Sequence, residues 1–242
     1  MTRPRGATLI GRSARAPSIG AGAQDSARQH DSIRLPPYSR GMRIGLFGGT
    51  FDPPHAAHRA ASLLAMRRLS LDRVWWLVTP GNPLKEAQGL APLRERLAAA
   101  HALAHHPRIA VSDIEAQIGT RYTYDTLRYL LARCAGVHFV WIMGADNLAT
   151  FHRWEKWRAI AGMIPIAVID RLGASLAANS GCAAHSLARY RVPDSQARAL
   201  PYRRPPAWVY LHGLKSPLSS TALRAARSRL PASAAPALAR SR

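Results

Sequence analysis

The sequence predicts an α/β fold in which helices cover both faces of one parallel sheet. Short apolar runs alternate with longer segments in which apolar residues recur every three or four positions, the pattern of strand–helix–strand repeats. The first apolar run ends at a Gly-Gly pair a few residues before a helical segment, which is typical of a turn from a strand to a helix. The chain has 242 residues, 48% of them apolar, which is enough to bury a single core of this kind.

Local signals define the first three strands and helices. The first helix is indicated by Ala60, Leu63 and Leu64, which share one face at helical spacing. Proline in a first turn (Pro92) and glycine after a last turn (Gly136) mark the bounds of the two helices that follow. The predicted order is strand 44–47, helix 55–69, strand 74–78, helix 91–104, strand 109–111 and helix 122–135.

The second half of the domain continues the alternation. An apolar run ends at Gly144, as the first strand ends at its glycine pair. Residues 173–206 are rich in Ala, Ser and Arg and give no clear pattern beyond a helix-compatible stretch over 180–190. The predicted order is strand 138–143, helix 154–160, strand 164–169, strand 208–211 and helix 219–229. Together these elements predict a Rossmann-like, doubly wound parallel sheet in one domain.

The predicted domain covers residues 42–229, and both ends of the chain have the composition of tails. Residues 1–41 mix Arg, Ser, Gly, Ala and Pro without a sustained helical or strand period. We expect a disordered or dispensable extension there, with Met42 as the natural start. Residues 230–242 consist mainly of Ala, Pro, Ser and Arg, and we expect a flexible C-terminal tail.

The net charge of +21 would suit a nucleic-acid-binding protein. Nearly all the basic residues are arginine, with lysine only at 85, 156 and 215, which indicates a compositional bias. Residues 1–41 hold seven Arg and two Asp, and residues 224–242 hold five Arg and no acidic residue, so about half of the excess charge lies in the two tails. A small phosphate-rich ligand would suit the rest, and nucleic acid is the less favoured partner.

The cysteine content and the apolar runs bear on the compartment. Only Cys134 and Cys182 are present, too few for a disulfide framework or a zinc site. The longest apolar stretch, residues 160–169, is too short to span a bilayer, and no signal-peptide pattern precedes the domain. We therefore expect a cytoplasmic protein without a membrane partner.

The strongest chemical signal is the segment from Gly48 to His58, GGTFDPPHAAH, between the first strand and the first helix. Glycines let the backbone approach a phosphate, and a helix N-terminus offers N–H groups and a positive dipole end to an anion. His55 and His58, three residues apart, share a helix face and could donate to a phosphoryl oxygen. Singly, each histidine would fit a cap or the surface. We expect catalytic His55 and His58 and phosphate-binding Gly48, Gly49, Thr50 and Phe51.

A second segment after the last strand has a similar arrangement. Ser219, Ser220 or Thr221 can cap the predicted last helix, and their hydroxyls can also hold phosphate oxygens. Arg224 lies about one turn further and offers paired donors to the same anion. An ordinary helix cap explains this segment when it is taken alone. Beside the histidine segment, a second phosphate-binding site is the better explanation.

These two segments resemble the H-x-G-H and I-S-S-T-x-x-R signatures of a nucleotidyltransferase superfamily, and within it the nicotinate-nucleotide adenylyltransferases. The resemblance runs from Met42 to about Arg229 and includes residues 75–85, 112–115, 122–127, 144–148 and 151–157. Four positions depart from the pattern: Ala57 replaces a motif glycine, Leu218 and Leu223 replace isoleucine, and Leu172 replaces proline.

The resemblance implies a reaction and a set of roles. ATP and nicotinate mononucleotide would give deamido-NAD and pyrophosphate, a step of NAD biosynthesis. Mg²⁺ would be held mainly by ATP, with no metal site made by the protein. The resemblance assigns the β- and γ-phosphates to the second segment, the adenosine ribose to Asp146, the substrate phosphates to Lys85, and the nicotinate side to Tyr122, Thr123 and Trp154.

Alternatives remain open at this point. Adenylyltransferases for nicotinamide mononucleotide or pantetheine phosphate share the histidine motif, although segments 75–85 and 122–127 argue against the latter acceptor. For Asp146 a helix N-cap is the simpler role, for Lys85 a solvated loop, and for Trp154 the core. A homo-oligomer is compatible with the sequence.

Overall fold

A computed structural model of the chain describes residues 33–81, 89–170 and 180–213. Seven strands lie in these ranges, and all of them belong to one sheet. The strands are β1 (Arg43–Gly49), β2 (Arg73–Val78), β3 (Ile109–Ser112), β4 (His138–Gly144), β5 (Ile166–Ile169), β6 (Arg191–Val192) and β7 (Trp208–Leu211).

Helices connect most of these strands. None of the helices within the described ranges has the length and apolar character needed to cross a membrane. The α-helices are α1 (Ala56–Leu69), α2 (Leu93–Ala104), α3 (Ile114–Gln117), α4 (Thr123–Arg133), α5 (Ala145–Thr150), α6 (Trp157–Met163) and α7 (Cys182–Ser186). Three 3₁₀ segments are Phe151–Arg153, Ala188–Tyr190 and Asp194–Tyr202.

Neighbouring strands are parallel throughout, in the order β3-β2-β1-β4-β5-β7-β6. From β1 the chain moves outward through β2 to β3, returns to β4 on the other side of β1, and moves outward again. The prediction of a doubly wound, Rossmann-like parallel sheet is therefore confirmed. Such sheets bind ligands in the crevice where the winding reverses, here between the carboxyl ends of β1 and β4.

Side chains of the central strands alternate between two buried faces. Phe47 and Trp76 belong to a core that includes residues of α1, α2 and the 3₁₀ segment Asp194–Tyr202. Trp75 and Trp141 point to the opposite face and are also buried, with 0% and 2% of their surface exposed. Adjacent tryptophans in β2 are both buried because the sheet is covered on both faces, as in other parallel sheets.

Most predicted elements are confirmed. The six predicted strands and the helices predicted over 55–69, 91–104 and 122–135 agree with the structure within two residues at each end. The stretch 180–190 contains α7 and a 3₁₀ segment, while β6 and the 3₁₀ segment Asp194–Tyr202 were not predicted. The helix predicted over 219–229 lies outside the described residues.

The helix predicted over 154–160 is wrong in its first turn. Trp154 has extended backbone, with φ −73° and ψ 142°, and α6 begins only at Trp157. Between them Lys156 adopts a left-handed conformation with φ 52°, which a right-handed helix cannot contain. Trp154 therefore lies in a loop before the helix rather than on a helix face.

Residues 34–41 pack against the domain although composition assigned them to the extension. The Tyr38 ring meets Trp75 edge-to-face, with centroids 6.2 Å apart, and Gly41 N–H donates to Gly136 O at 2.8 Å. Pro36 is buried. The folded unit thus begins at Arg34. Dispensability of the preceding residues stays a prediction from composition.

We expect deletion of residues 1–32 to leave Tm unchanged, and deletion of residues 1–41 to lower it. The larger deletion removes the aromatic partner of Trp75, worth about 1 kcal/mol, which corresponds to about 2–4 °C in a domain of this size. Thermal denaturation of the two truncated chains, with full-length Tyr38→Leu as the matched variant, checks this. Equal Tm values for both truncations would contradict it.

Candidate active site

The predicted site lies at the carboxyl ends of the two central strands. β1 leads through Gly48 and Gly49 into the loop before α1, and β4 leads directly into α5. Thr79, just after β2, donates its N–H to Gly49 O at 3.0 Å. The segments that follow β1, β2 and β4 therefore meet at the carboxyl ends of the strands. The crevice expected from the strand order therefore contains the histidine segment.

The two predicted catalytic histidines are in contact. His55 is the N-cap of α1, His58 is its third residue, and the two form a reciprocal capping box. His55 N–H donates to Nδ1 of His58 at 3.1 Å, and the ring centroids lie 3.8 Å apart. The capping role considered from sequence is thus present together with the pairing that catalysis would require.

The cap also sets the chemistry of His58. Because Nδ1 accepts a hydrogen bond, the proton of the neutral imidazole is on Nε2. Nε2–H is then a hydrogen-bond donor whose direction is fixed before any ligand arrives. Fixed donors at a helix N-terminus are suited to stabilising negative charge on a phosphoryl group.

Phe51 supports this arrangement from within the core. Its side chain is 1% exposed, stacks on Trp76 with centroids 5.0 Å apart, and lies 4.8 Å from the His58 ring. Phe51, with φ 48°, rather than a glycine, is the residue of this loop in the left-handed region. The predicted phosphate-binding role of Phe51 therefore rests on its backbone alone, because its side chain is occupied in packing.

A hydrogen-bonded chain holds α1 against β2 below the histidines. Trp76 Nε1–H donates to Ser62 Oγ at 2.8 Å, and Ser62 Oγ–H donates to His58 O at 2.9 Å. All three groups are buried or half-buried. The first turns of α1 are thus fixed to the strand that ends beside the loop.

Gly48 is required by packing as well as by the expected approach of a phosphate. A Cβ atom there would lie 2.6 Å from Cη2 of Trp141, and the rigid buried ring could not move aside cheaply. At Gly49 the nearest atom, from Phe51, would be 3.4 Å away, so space does not demand glycine there. Trp141 in turn meets Trp154 edge-to-face, with centroids 6.2 Å apart. Trp141 therefore packs between Gly48, in the predicted phosphate-binding segment, and Trp154, on the predicted nicotinate side.

The predicted nicotinate side combines a half-buried tryptophan and a helix start. Trp154 packs edge-to-face on Phe151, with centroids 5.3 Å apart, whereas Trp157 is a core residue. Tyr122 is the N-cap of α4, but its N–H donates to Thr120 Oγ1 at 3.1 Å. The N–H groups of the next two residues, Thr123 and Tyr124, have no acceptor inside the helix and are the ones suited to an anion.

Of the other predicted ligands, the structure describes Asp146 but not Lys85 or residues 219–224. Asp146 is exposed in the first turn of α5, and since Gly144 is the N-cap, the simpler role considered for Asp146 is wrong. No group of three or more His, Cys, Asp or Glu side chains in the described ranges could hold a metal ion. The predicted phosphate ligands Lys85, Ser219, Ser220, Thr221 and Arg224 lie outside the described residues.

Two buried charged residues were missed from sequence. Arg96 is 3% exposed, and its guanidinium binds backbone carbonyls around the site. Glu115 is 4% exposed, accepts from Thr126 Oγ1 at 3.2 Å, and burial raises the pKa of its carboxyl. Arg96 had a signal, since it shares a helix face with Ala100 and Ala104 at a spacing of four. An arginine in an apolar stripe needs internal partners.

Comparisons with known proteins identify the family of the chain. A model of the cytidylyltransferase-like family matches residues 46–226. A probable nicotinate-nucleotide adenylyltransferase of Bradyrhizobium sp. (strain ORS 278) is 62% identical over 183 residues, covering 76% of this chain and 95% of that protein. Another, of Methylorubrum extorquens, is 59% identical over 183 residues, covering 76% of this chain and 99% of that protein.

A solved structure gives the same fold. Plasmodium falciparum nicotinic acid mononucleotide adenylyltransferase complexed with APC superposes with a TM-score of 0.55, covering 76% of this chain and 83% of that chain. At 15% sequence identity this likeness supports the fold alone. The sequence matches are far closer and span nearly the whole length of the relatives. The chain belongs to the cytidylyltransferase-like family and, within it, to the nicotinate-nucleotide adenylyltransferases.

Proposed function

We propose that the protein transfers the adenylyl group of ATP to nicotinate mononucleotide, forming deamido-NAD and pyrophosphate in NAD biosynthesis. The observation that carries this proposal is the pair of contacting imidazoles at the N-terminus of α1, in the crevice between β1 and β4. The names of relatives at 62% and 59% identity support the choice of substrates. No protein nucleophile is needed, because the acceptor's own phosphate attacks.

The proposed step is an in-line displacement at phosphorus. An oxygen of the mononucleotide phosphate forms a bond to the α-phosphorus of ATP while the bond to the β-phosphate bridging oxygen breaks, and pyrophosphate carries away the electron pair. His58 Nε2–H, His55 and the first N–H groups of α1 would stabilise the charge that spreads over the phosphoryl oxygens. Catalysis then consists of positioning two anions and stabilising that charge.

Each substrate would contact its own side of the crevice. On the ATP side we propose Gly48, Gly49, Thr50 and the backbone of Phe51 for the phosphates, and Asp146 for the adenosine ribose. The second phosphate-binding segment would hold the part that leaves as pyrophosphate, through Ser219, Ser220, Thr221 and Arg224. Mg²⁺ would enter with ATP, held by phosphate oxygens and water.

On the acceptor side, Trp154 would stack on the pyridinium ring, which carries positive charge. The start of α4, at Tyr122 and Thr123, would hold the ring carboxylate, and Lys85 would contact the substrate phosphates. We further propose that the protein acts in the cytoplasm, where its two cysteines would stay reduced. The high net charge is then explained by composition and by anionic substrates rather than by nucleic acid.

One experiment separates the candidate acceptors. The purified protein is incubated with Mg-ATP and, separately, nicotinate mononucleotide, nicotinamide mononucleotide and pantetheine phosphate, and both pyrophosphate and the adenylylated product are measured. We expect turnover to be fastest with nicotinate mononucleotide. Faster turnover with another acceptor would reassign the substrate. Absence of turnover with all three, together with salt-sensitive nucleic-acid binding, would overturn the proposal.

A further inference from the structure

Arg96 connects separate parts of the chain around the site. Its Nη1 donates to Thr50 O and to Thr79 O, both at 2.7 Å. Its Nε donates to Ala91 O at 2.8 Å, and its Nη2 donates to Pro80 O at 3.2 Å. One planar guanidinium thus holds four backbone carbonyls from three chain segments.

These segments belong to different sides of the proposed site. Thr50 lies in the loop between β1 and the histidine pair, on the ATP side. Thr79 and Pro80 follow β2 and precede residues 82–88, which contain Lys85. Ala91 comes after those residues and shortly before α2. Arg96 therefore holds the ATP-side loop against the two described segments on either side of residues 82–88.

The charge of Arg96 is part of the arrangement. The side chain comes from α2 and is almost completely buried. Burial lowers the pKa of its guanidinium, and the negative charge of the buried Asp52 raises it. Arginine stays protonated under such conditions, so all its N–H groups remain donors. A lysine could supply the charge but could not place donors at three separate nitrogen positions.

We propose that Arg96 is a positioning residue that fixes the ATP-side loop at Thr50 relative to the segments at Thr79–Pro80 and Ala91 before the substrates bind. This inference rests on the proposed function, because it assigns the Thr50 loop to ATP and the chain after β2 to the acceptor. In-line transfer needs the attacking oxygen and the α-phosphorus at a defined separation, and a displacement of about 1 Å can lower the rate about a hundredfold. Arg96 does not touch the reacting atoms and acts through backbone carbonyls.

The test compares two arginine-to-lysine variants. Arg43 is the first residue of β1, so it lies at the amino ends of the strands, opposite the site. It forms a paired salt bridge with Asp72, with Nη2–Oδ1 at 2.7 Å and Nε–Oδ2 at 3.0 Å. Arg43→Lys is therefore the matched control, which removes paired hydrogen bonds far from the site. For Arg96→Lys we expect kcat/KM to fall about a hundredfold, with KM raised for both ATP and the mononucleotide. For Arg43→Lys we expect a lower Tm with KM and kcat unchanged.

A lower Tm in both variants, with unchanged KM and kcat in Arg96→Lys, would overturn the positioning role. If Arg96→Lys does not fold, hydrogen exchange on the unmodified protein decides. A nonhydrolysable ATP analogue added alone should slow exchange at residues 79–81 and 89–92 as well as at 48–58. Slowing confined to residues 48–58, or no binding of the analogue, would refute the proposed positioning role of Arg96. Failure of the proposed function shows separately, as missing turnover in the unmodified protein.

Discussion

Replacing His58 with alanine is expected to lower kcat about a hundredfold or more. The change removes Nε2–H, the donor that the His55 N–H···Nδ1 bond fixes in direction. It also removes one cap bond at the start of α1, which costs about 0.5–2 kcal/mol of stability. Loss of activity should therefore greatly exceed loss of stability. Steady-state kinetics and thermal denaturation of the variant measure the two effects.

Two amide variants separate the cap from the donor. In His58→Asn, the side-chain oxygen can occupy the position of Nδ1 and accept from His55 N–H, but no group replaces Nε2–H. In His58→Gln, the longer side chain can place an NH₂ donor near the Nε2 position without the cap acceptor. We expect Asn to restore Tm but not kcat, and Gln to restore part of kcat but not Tm. Recovery of kcat by Asn alone would show that His58 acts only as a cap.

His55→Ala should also lower kcat about a hundredfold. Its ring is 5% exposed and packs on His58, so its removal leaves a space beside the proposed donor and lowers Tm as well. The exposed His101 and His105 provide control positions on the surface, where substitution by alanine should change neither kcat nor Tm. Turnover close to that of the unmodified protein in both His55→Ala and His58→Ala would refute the proposed roles.

Local sequence signals were sufficient to predict the frame of the site. The glycine pair at the end of the first strand and the apolar run ending at Gly144 indicated a site at these two strands, and the spacing of His55 and His58 predicted that they share a helix end. These signals are local, because strand ends and helix starts are encoded within a few residues. The parallel sheet then brings the two strand ends to one edge.

Two of the three features that sequence analysis missed depend on residues far apart in the chain. Arg96 could not be linked to Thr50 without knowing that α2 packs beside the first loop. Phe51 resembled a loop residue facing a ligand, yet its ring fills the core against Trp76. The loop around Trp154 resembled a helix because a left-handed turn at Lys156 leaves no signal in a short polar stretch. Tertiary packing decided the first two cases, whereas the third is a local backbone conformation.

The protein is expected to prefer nicotinate mononucleotide to its amide by about tenfold to a hundredfold in kcat/KM. The two acceptors differ only at the ring substituent, so selectivity must arise there. A carboxylate can accept from the N–H groups of Thr123 and Tyr124 at the start of α4, whereas an amide also brings an NH₂ group that is itself a donor. Leaving such buried groups unpaired costs about 1–3 kcal/mol, which corresponds to the expected ratio.

Substitutions on the two parts of the acceptor side should have different effects. Trp154→Ala should raise KM for both acceptors alike, since stacking on a pyridinium ring is worth about 0.5–2 kcal/mol whichever substituent it carries. Thr120→Val removes the hydroxyl that accepts Tyr122 N–H and that lies 3.4 Å from Asp125 Oδ2, which loosens the start of α4. This variant should lower the acid-to-amide ratio, and Thr120→Ser, which keeps the hydroxyl, should preserve it. Equal kcat/KM for acid and amide in the unmodified protein would contradict the assignment and indicate an enzyme that accepts both. A site that pairs the N–H groups of Thr123 and Tyr124 with the carboxylate cannot hold the amide equally well.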